Sequence, residues 1–193
     1  MQKVGLCGNI GSGKTTVAGI FRAMGAFVFH ADDMAKQVLL EKGVLQELMK
    51  RFGPQILDEN HQLNRKLLAS YIFNDTQSLA FVSNLVHPKV RQAYHDFCSK
   101  NRQAPVCIYE AAILIETGFY KELNKTILVT APEKTRIQRV MQRDNISQTE
   151  VVQRTKNQWP EERKIPYADF IIVNDGNNPL LEQCLAVYQR LAL

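Results

Sequence analysis

Near the start of the chain, residues Gly8 to Thr16 read GNIGSGKTT and follow directly on the apolar stretch VGLC. Glycines this dense make a poor strand and a poor helix start. What they suit is an anion. Gly8, Gly11 and Gly13 let successive backbone N–H groups converge without side-chain obstruction, and a helix opening at Lys14 would add its partial positive charge. Lys14 brings a point charge to the β/γ-phosphates of a nucleoside triphosphate, and the Thr15 hydroxyl is placed to ligate Mg2+. The spacing of Gly8, Gly13, Lys14 and Thr15 fits G-x-x-x-x-G-K-[ST]. It predicts a docked triphosphate and leaves the reaction open.

Other groups could supply that reaction. Asp32 and Asp33, in FVFHADDMAK, follow a short apolar run at the end where open α/β sheets place ligands. A carboxylate there can take a proton from an attacking hydroxyl, hold Mg2+ through water, or cap the next helix. Glu110 closes the run VCIYE, where an acid of a magnesium shell is expected, whereas Glu116 reads as a structural carboxylate at a helix start. Arg136, Arg139 and Arg143 fall at i, i+3 and i+7, on one helical face. Three guanidinium groups so placed repel unless solvated or offered to an anion, and their forks suit phosphate oxygens. Arg154 and Lys156 could join them. His87 and Arg91 stand four apart beside Pro88, which reads as a helix start, and could bind an acceptor's phosphate or ribose. His30, His61 and His95 show no partner pattern, and Trp159 reads as loop packing or a base-stacking surface.

The elements that must position these groups alternate. Lys3–Cys7, Ala26–Phe29, Val106–Tyr109, Thr126–Thr130 and Phe170–Asn174 are continuous apolar runs, as expected for parallel strands covered on both faces. Helical stretches cover about Lys14–Met24, Leu79–Lys100, Glu133–Arg143 and Pro179–Leu191. The reading is an α/β fold: a parallel five-stranded sheet of the P-loop nucleoside-triphosphate hydrolase type, flanked by helices. From Asp33 to Ala104 roughly 70 residues separate two strands, far beyond an ordinary crossover of ~10–15. One domain is therefore expected, with its core at about 1–32, 104–142 and 166–193. A helical acceptor-binding insertion is expected at about 33–103 and a lid at about 143–165.

Composition sets limits. A hydrophobic share of 45% with 22% charged residues argues for a packed core rather than a disordered chain. There is no apolar run of ~18 residues and no signal-type leader, so a cytoplasmic protein that does not enter membranes is expected. Cys7, Cys98, Cys107 and Cys184 lack metal-type spacing, which fits a reducing compartment. The net charge is +5, and between Lys134 and Lys164 eight cationic side chains face four acids. That surplus suits nucleic acid or a small polyanion.

Read together, these segments resemble the dephospho-CoA kinase family essentially end to end. The pieces are GLCGNIGSGKTTVA, HADDMAK, the His87–Pro88 pair followed by Arg91, AAILIETGFY, RVMQRDNIS, NQWPEERK and ADFIIVNDG. The resemblance implies ATP-dependent phosphorylation of the ribose 3′-hydroxyl of dephospho-CoA with Mg2+. It implies that Gly11, Ser12, Gly13, Lys14, Thr15 and Thr16 form the ATP loop and that Asp32, the second acid of a D-A-D motif, is the base. Arg139 and Arg143 become lid arginines, His87 and Arg91 acceptor contacts, and Asn174 a neighbour of the adenine. Three positions depart from the pattern: His30 replaces the first Asp of D-A-D, Ala112–Glu116 replaces P-L-L-F-E, and Lys36 replaces an Arg. The expected partner is small-molecule dephospho-CoA, with no nucleic acid and a monomer or weak oligomer in solution. Another small-molecule P-loop kinase, for a nucleoside, nucleotide or shikimate-like acceptor, is the alternative. A nucleic-acid-dependent ATPase is the rival from another class; it lacks switch motifs and interleaved aromatics here.

Overall fold

A computed structural model describes residues 1–156 and 158–192; Asn157, which opens the NQWPEERK segment, lies outside them. In chain order the elements begin with β1 (Gln2–Cys7), α1 (Lys14–Ala23) and β2 (Phe27–His30). Then come the helices α2 (Ala31–Val38), α3 (Lys42–Phe52), α4 (Arg65–Asn74) and α5 (Thr76–Lys100). The chain returns with β3 (Val106–Glu110), β4 (Lys125–Thr130), α6 (Glu133–Asp144), α7 (Gln148–Thr155), α8 (Glu161–Lys164), β5 (Phe170–Val173) and α9 (Leu180–Leu191). Two compact units result, one of residues 1–30 and 98–193, the other of residues 31–97.

In the first unit the strands form one five-stranded sheet, ordered β2-β3-β1-β4-β5, with every pairing parallel. This is the expected P-loop-type α/β architecture. Val4–Cys7 and the whole of β3 are buried, which is why those runs are continuously apolar rather than alternating. Leu6, Val17, Phe21, Ile108, Ile127, Val129, Ile172 and Leu191 knit sheet and helices into one core. Burying each such side chain contributes about 1.5–3 kcal/mol before conformational entropy is subtracted. Parallel strands put all their C-terminal ends on one rim, so Cys7, His30, Glu110, Thr130 and Val173 end together there.

Boundaries differ from the sequence reading in ways that matter to the site. His30 and Glu110 are the last residues of β2 and β3 and pair in register, whereas Asn174 lies just past β5. In the second unit Pro88 sits inside α5 and does not start it. Proline removes one helical hydrogen bond and crowds the preceding turn. The helix continues because Val82, Val86, Val90 and Tyr94, four residues apart, bury a single stripe along it. Around it, Phe52 stacks on Tyr71 with ring centroids 5.4 Å apart, and the Asn64 side chain caps α4 by accepting from the Leu67 N–H.

Candidate active site

The site is built on the turn between β1 and α1. Gly13 opens α1 at φ +94°, and a Cβ there would stand 2.0 Å from the Asn174 amide nitrogen. Gly11, at φ +81°, would drive a Cβ to 2.4 Å from the carbonyl oxygen of Arg136. These glycines therefore do two things: they supply a left-handed backbone and they let α6 and Asn174 lie against the loop. Asn174 fixes its own place by donating from Nδ2 to the Ser12 carbonyl at 2.8 Å, while its N–H bonds Thr130. The first-turn N–H groups of α1 fall outside the helix's own hydrogen-bond ladder, as at any helix start.

Gly11→Ala should lower stability by about 2 kcal/mol, from left-handed strain plus overpacking against a backbone oxygen. Because relief requires the loop to move, ATP affinity should fall roughly tenfold or more. Thermal melts and nucleotide titration check both; an unchanged affinity would mean the loop backbone does not hold the phosphates.

Lys14 donates from Nζ to the Gly8 carbonyl at 2.9 Å, folding back over the loop. The Thr15 hydroxyl donates to Glu110 Oε1 at 3.2 Å. Glu110 is nearly buried, and its other oxygen, Oε2, meets His30 Nδ1. His30 Nε2 in turn lies 2.7 Å from an Arg22 guanidinium nitrogen. The sequence reading left His30 without partners; in the folded chain it bridges an arginine and the Glu110 carboxylate.

The three arginines of α6 meet different partners. Arg136 turns inward, donating to the Ala131 carbonyl at 3.0 Å and standing 3.3 Å from Glu161 without hydrogen-bond geometry. Burial pushes the Glu161 carboxyl above its usual range, against the pull of Arg136. Arg139 reaches the phosphate loop, donating to the Gly11 carbonyl at 3.4 Å. Arg143 is 63% exposed and forks onto Asp144, which also takes Arg154 at 2.6 Å. The mutual repulsion that the spacing predicts is thus relieved by a separate partner for each.

Beyond α6 the chain turns at Asn145, with φ +51°, into α7, whose Ser147 and Glu150 form a reciprocal capping box. It then returns to the phosphate loop. The Ile10 N–H donates to Gln158 Oε1 at 3.0 Å, and Asn9 donates to the Trp159 carbonyl at 3.1 Å. The Trp159 N–H donates to Glu116 Oε1, which also receives Lys164 Nζ at 2.8 Å. Lys164 is 0% exposed. Glu116 is therefore a largely covered anchor for this arm, not a helix-start carboxylate. Arg163 lies 3.6 Å over the Trp159 ring, so this indole packs in place. A cavity of about 540 Å3 opens beneath α6 and α7, lined among others by Ile10, Arg136, Val151, Trp159 and Glu161. Burial raises the Cys7 thiol to about 12, and all four cysteines are buried as thiols, Cys98 Sγ lying 3.2 Å from Cys107 Sγ.

This geometry sets a hydroxyl–carboxylate pair beside a glycine-built loop at the start of a helix. The dephospho-CoA kinase family model matches residues 2–179. The chain belongs to the dephospho-CoA kinase family. It is 36% identical to the dephospho-CoA kinase of Aquifex aeolicus over 99% of this chain and 98% of that one. It is 34% identical to the Bacteroides fragilis enzyme of the same name over 98% of this chain and 94% of that one. A crystal structure from Thermus thermophilus, 34% identical, superposes with a TM-score of 0.89 over 98% of this chain and 96% of that one. The activity is accordingly that of a dephospho-CoA kinase, an ATP-dependent phosphotransferase. Among the described residues no helix is long and apolar enough to cross a membrane.

In the second unit of the kinase, Asp32 and Asp33 lie in the first turn of α2, and Asp33 pairs with Lys36 at 2.7 Å on the surface. His87 and Arg91 share one face of α5, a turn apart. Burial, helped by the Arg91 charge, pushes the His87 imidazole below its ordinary value. The unfolded chain then takes up this proton at a higher pH than the folded one, so acid favours unfolding. Stability should fall as pH drops through about 6.5, the ordinary histidine value, and level off below the folded one. His87→Gln should flatten that part of the profile; urea melts across the range that kept the wild-type slope would disprove it.

Sequence reasoning missed Lys164, Gln158 and Arg22. Lys164 looks like any lysine of a charged run, and Gln158 carries no motif. Arg22 had one legible signal, its position in the last turn of α1 shortly before β2.

Proposed function

We propose that the chain transfers the γ-phosphoryl group of ATP to the ribose 3′-hydroxyl of dephospho-CoA, giving coenzyme A and ADP. Gly11, Ser12, Gly13, Lys14, Thr15 and Thr16 hold the triphosphate, with Asn174 on the adenine side. The observation that carries this reading is the Thr15–Glu110 pair beside a glycine-built loop with Lys14 folded over it. The Thr15 hydroxyl donates its hydrogen bond to Glu110, which leaves the hydroxyl lone pairs for a cation, and hard oxygen donors of this kind suit Mg2+. When bound with ATP, the ion neutralises charge on the β- and γ-phosphate oxygens.

Asp32 orients the 3′-hydroxyl and accepts its proton as the oxygen attacks phosphorus in line. The new O–P bond forms while the bond to the β–γ bridging oxygen breaks, and ADP departs with that electron pair. Arg139 and Arg143 stabilise the migrating group, while His87 and Arg91 bind the acceptor. The enzyme works as a monomer or weak oligomer in a reducing cytoplasm, which suits four buried cysteines held as thiols.

The test is to incubate the protein with ATP, Mg2+ and dephospho-CoA beside adenosine, AMP and shikimate, and to read by mass spectrometry which acceptor gains a phosphoryl group. Dephospho-CoA alone should do so. Phosphorylation of another acceptor in preference would overturn the substrate, and nucleic-acid-stimulated hydrolysis at physiological salt would overturn the class.

A further inference from the structure

Where the family pattern has an acid, this chain has His30, and its two ring nitrogens are engaged by groups of opposite character. A guanidinium has donors and no acceptor. At 2.7 Å from Arg22, His30 Nε2 must therefore be the accepting nitrogen, and the ring proton sits on Nδ1. Nδ1 faces Glu110 Oε2, a carboxylate that can only accept while ionised. Glu110 then receives two donors on its two oxygens: the imidazole N–H on Oε2 and the Thr15 hydroxyl on Oε1 at 3.2 Å. Read from the surface inward, every link donates in one direction or is anchored by charge: Arg22 to His30, His30 to Glu110, Thr15 to Glu110. Glu110 and His30 are also register partners on adjacent strands, so the backbone fixes their spacing. An aspartate at position 30 would instead set a second carboxylate against Glu110.

We infer that His30, locked by Arg22 in the tautomer protonated at Nδ1, is a positioning residue that turns the Glu110 carboxylate toward the Thr15 hydroxyl. It touches neither nucleotide nor acceptor in this role. It acts through Glu110 on the atom that meets the metal–nucleotide complex, so the inference rests on the kinase site proposed above. Groups that orient the ligands of a metal in this way typically change affinity or turnover by 10–100-fold when removed.

Two readouts test it. The first needs no substrate or metal: an indirect 15N correlation spectrum of the purified protein, in which His30→Gln removes one of four histidine patterns. His30 should show a protonated Nδ1 and an unprotonated Nε2, and Arg22→Met should shift the balance toward the other tautomer. A His30 protonated on Nε2 in the wild type overturns the inference. The second uses the geometry of the amides. His30→Asn puts an N–H donor where Nδ1 stands and keeps the bond to Glu110; His30→Gln can still accept from Arg22 but loses that donor. Expected values are kcat within about threefold of wild type for Asn and lowered roughly 10–100-fold for Gln, with the Mg2+ concentration for half-maximal rate raised in Gln alone. Equal losses in both variants, at matched melting temperatures, would overturn the positioning role. A wild-type protein that turns over no dephospho-CoA would instead defeat the kinase reading, while leaving the tautomer measurement to judge His30 separately.

Discussion

Asp32→Asn should lower kcat by about 10²–10⁴-fold while ATP affinity stays within a few-fold of wild type. The substitution is nearly isosteric and keeps an oxygen that can accept a hydrogen bond from the 3′-hydroxyl. What it removes is the negative charge and the ability to take the proton when the O–P bond forms. Because that interaction is made in the transition state, kcat and kcat/KM should fall together. Stability should change little: Asp32 lies in the first turn of α2, where a charge facing the helix N-terminus contributes about 0.3–1 kcal/mol. Asp33→Asn is the control, since that neighbour is 65% exposed and paired with Lys36. Pre-steady-state transfer with labelled ATP separates chemistry from product release. Wild-type turnover in Asp32→Asn would dismiss the residue as base, and an equal loss in both variants would point to the local charge instead.

Lys164→Met should be the most destabilising single change outside the sheet core. It leaves the Glu116 carboxylate, itself 10% exposed and already short of a partner on Oε2, without its cation. Breaking a buried pair from one side costs about 3–5 kcal/mol. For a chain of this length that is a fall in melting temperature of roughly 10 °C. Adding Glu116→Gln should recover much of the loss, because the amide oxygen can still accept the Trp159 N–H while the stranded charge disappears. ATP binding should weaken as well in the single variant, since the same arm carries Gln158 to the Ile10 N–H of the phosphate loop. A melting temperature within a degree or two of wild type would show that Lys164 escapes to solvent and that the pair anchors nothing.

The two variants probe groups of unlike legibility. Asp32 is visible in the sequence because its neighbours, HADDMAK after an apolar run, form a motif. Lys164 is not, because what makes it special is burial beside a residue 48 positions earlier in the chain. The same contrast runs through α6: the spacing of Arg136, Arg139 and Arg143 fixes their shared face, but Glu161, Gly11 and Asp144 decide where each guanidinium goes. Pro88 shows the limit from the other side. Local stereochemistry argued for a helix start, and a buried stripe four residues apart outweighed it.

By itself the sequence determined the five strands, the phosphate loop and its Lys14 and Thr15, and the family, because each is written in local periodicity or in contiguous motifs. Backbone preferences and burial act over a few residues, so they can be read there. Only the tertiary structure decided that His30 joins Arg22 to Glu110, that Gln158 meets the Ile10 N–H and that Lys164 is buried on Glu116. Those contacts depend on which strand ends share a rim and on which polar groups are cut off from water together. Neither condition leaves a pattern in neighbouring residues.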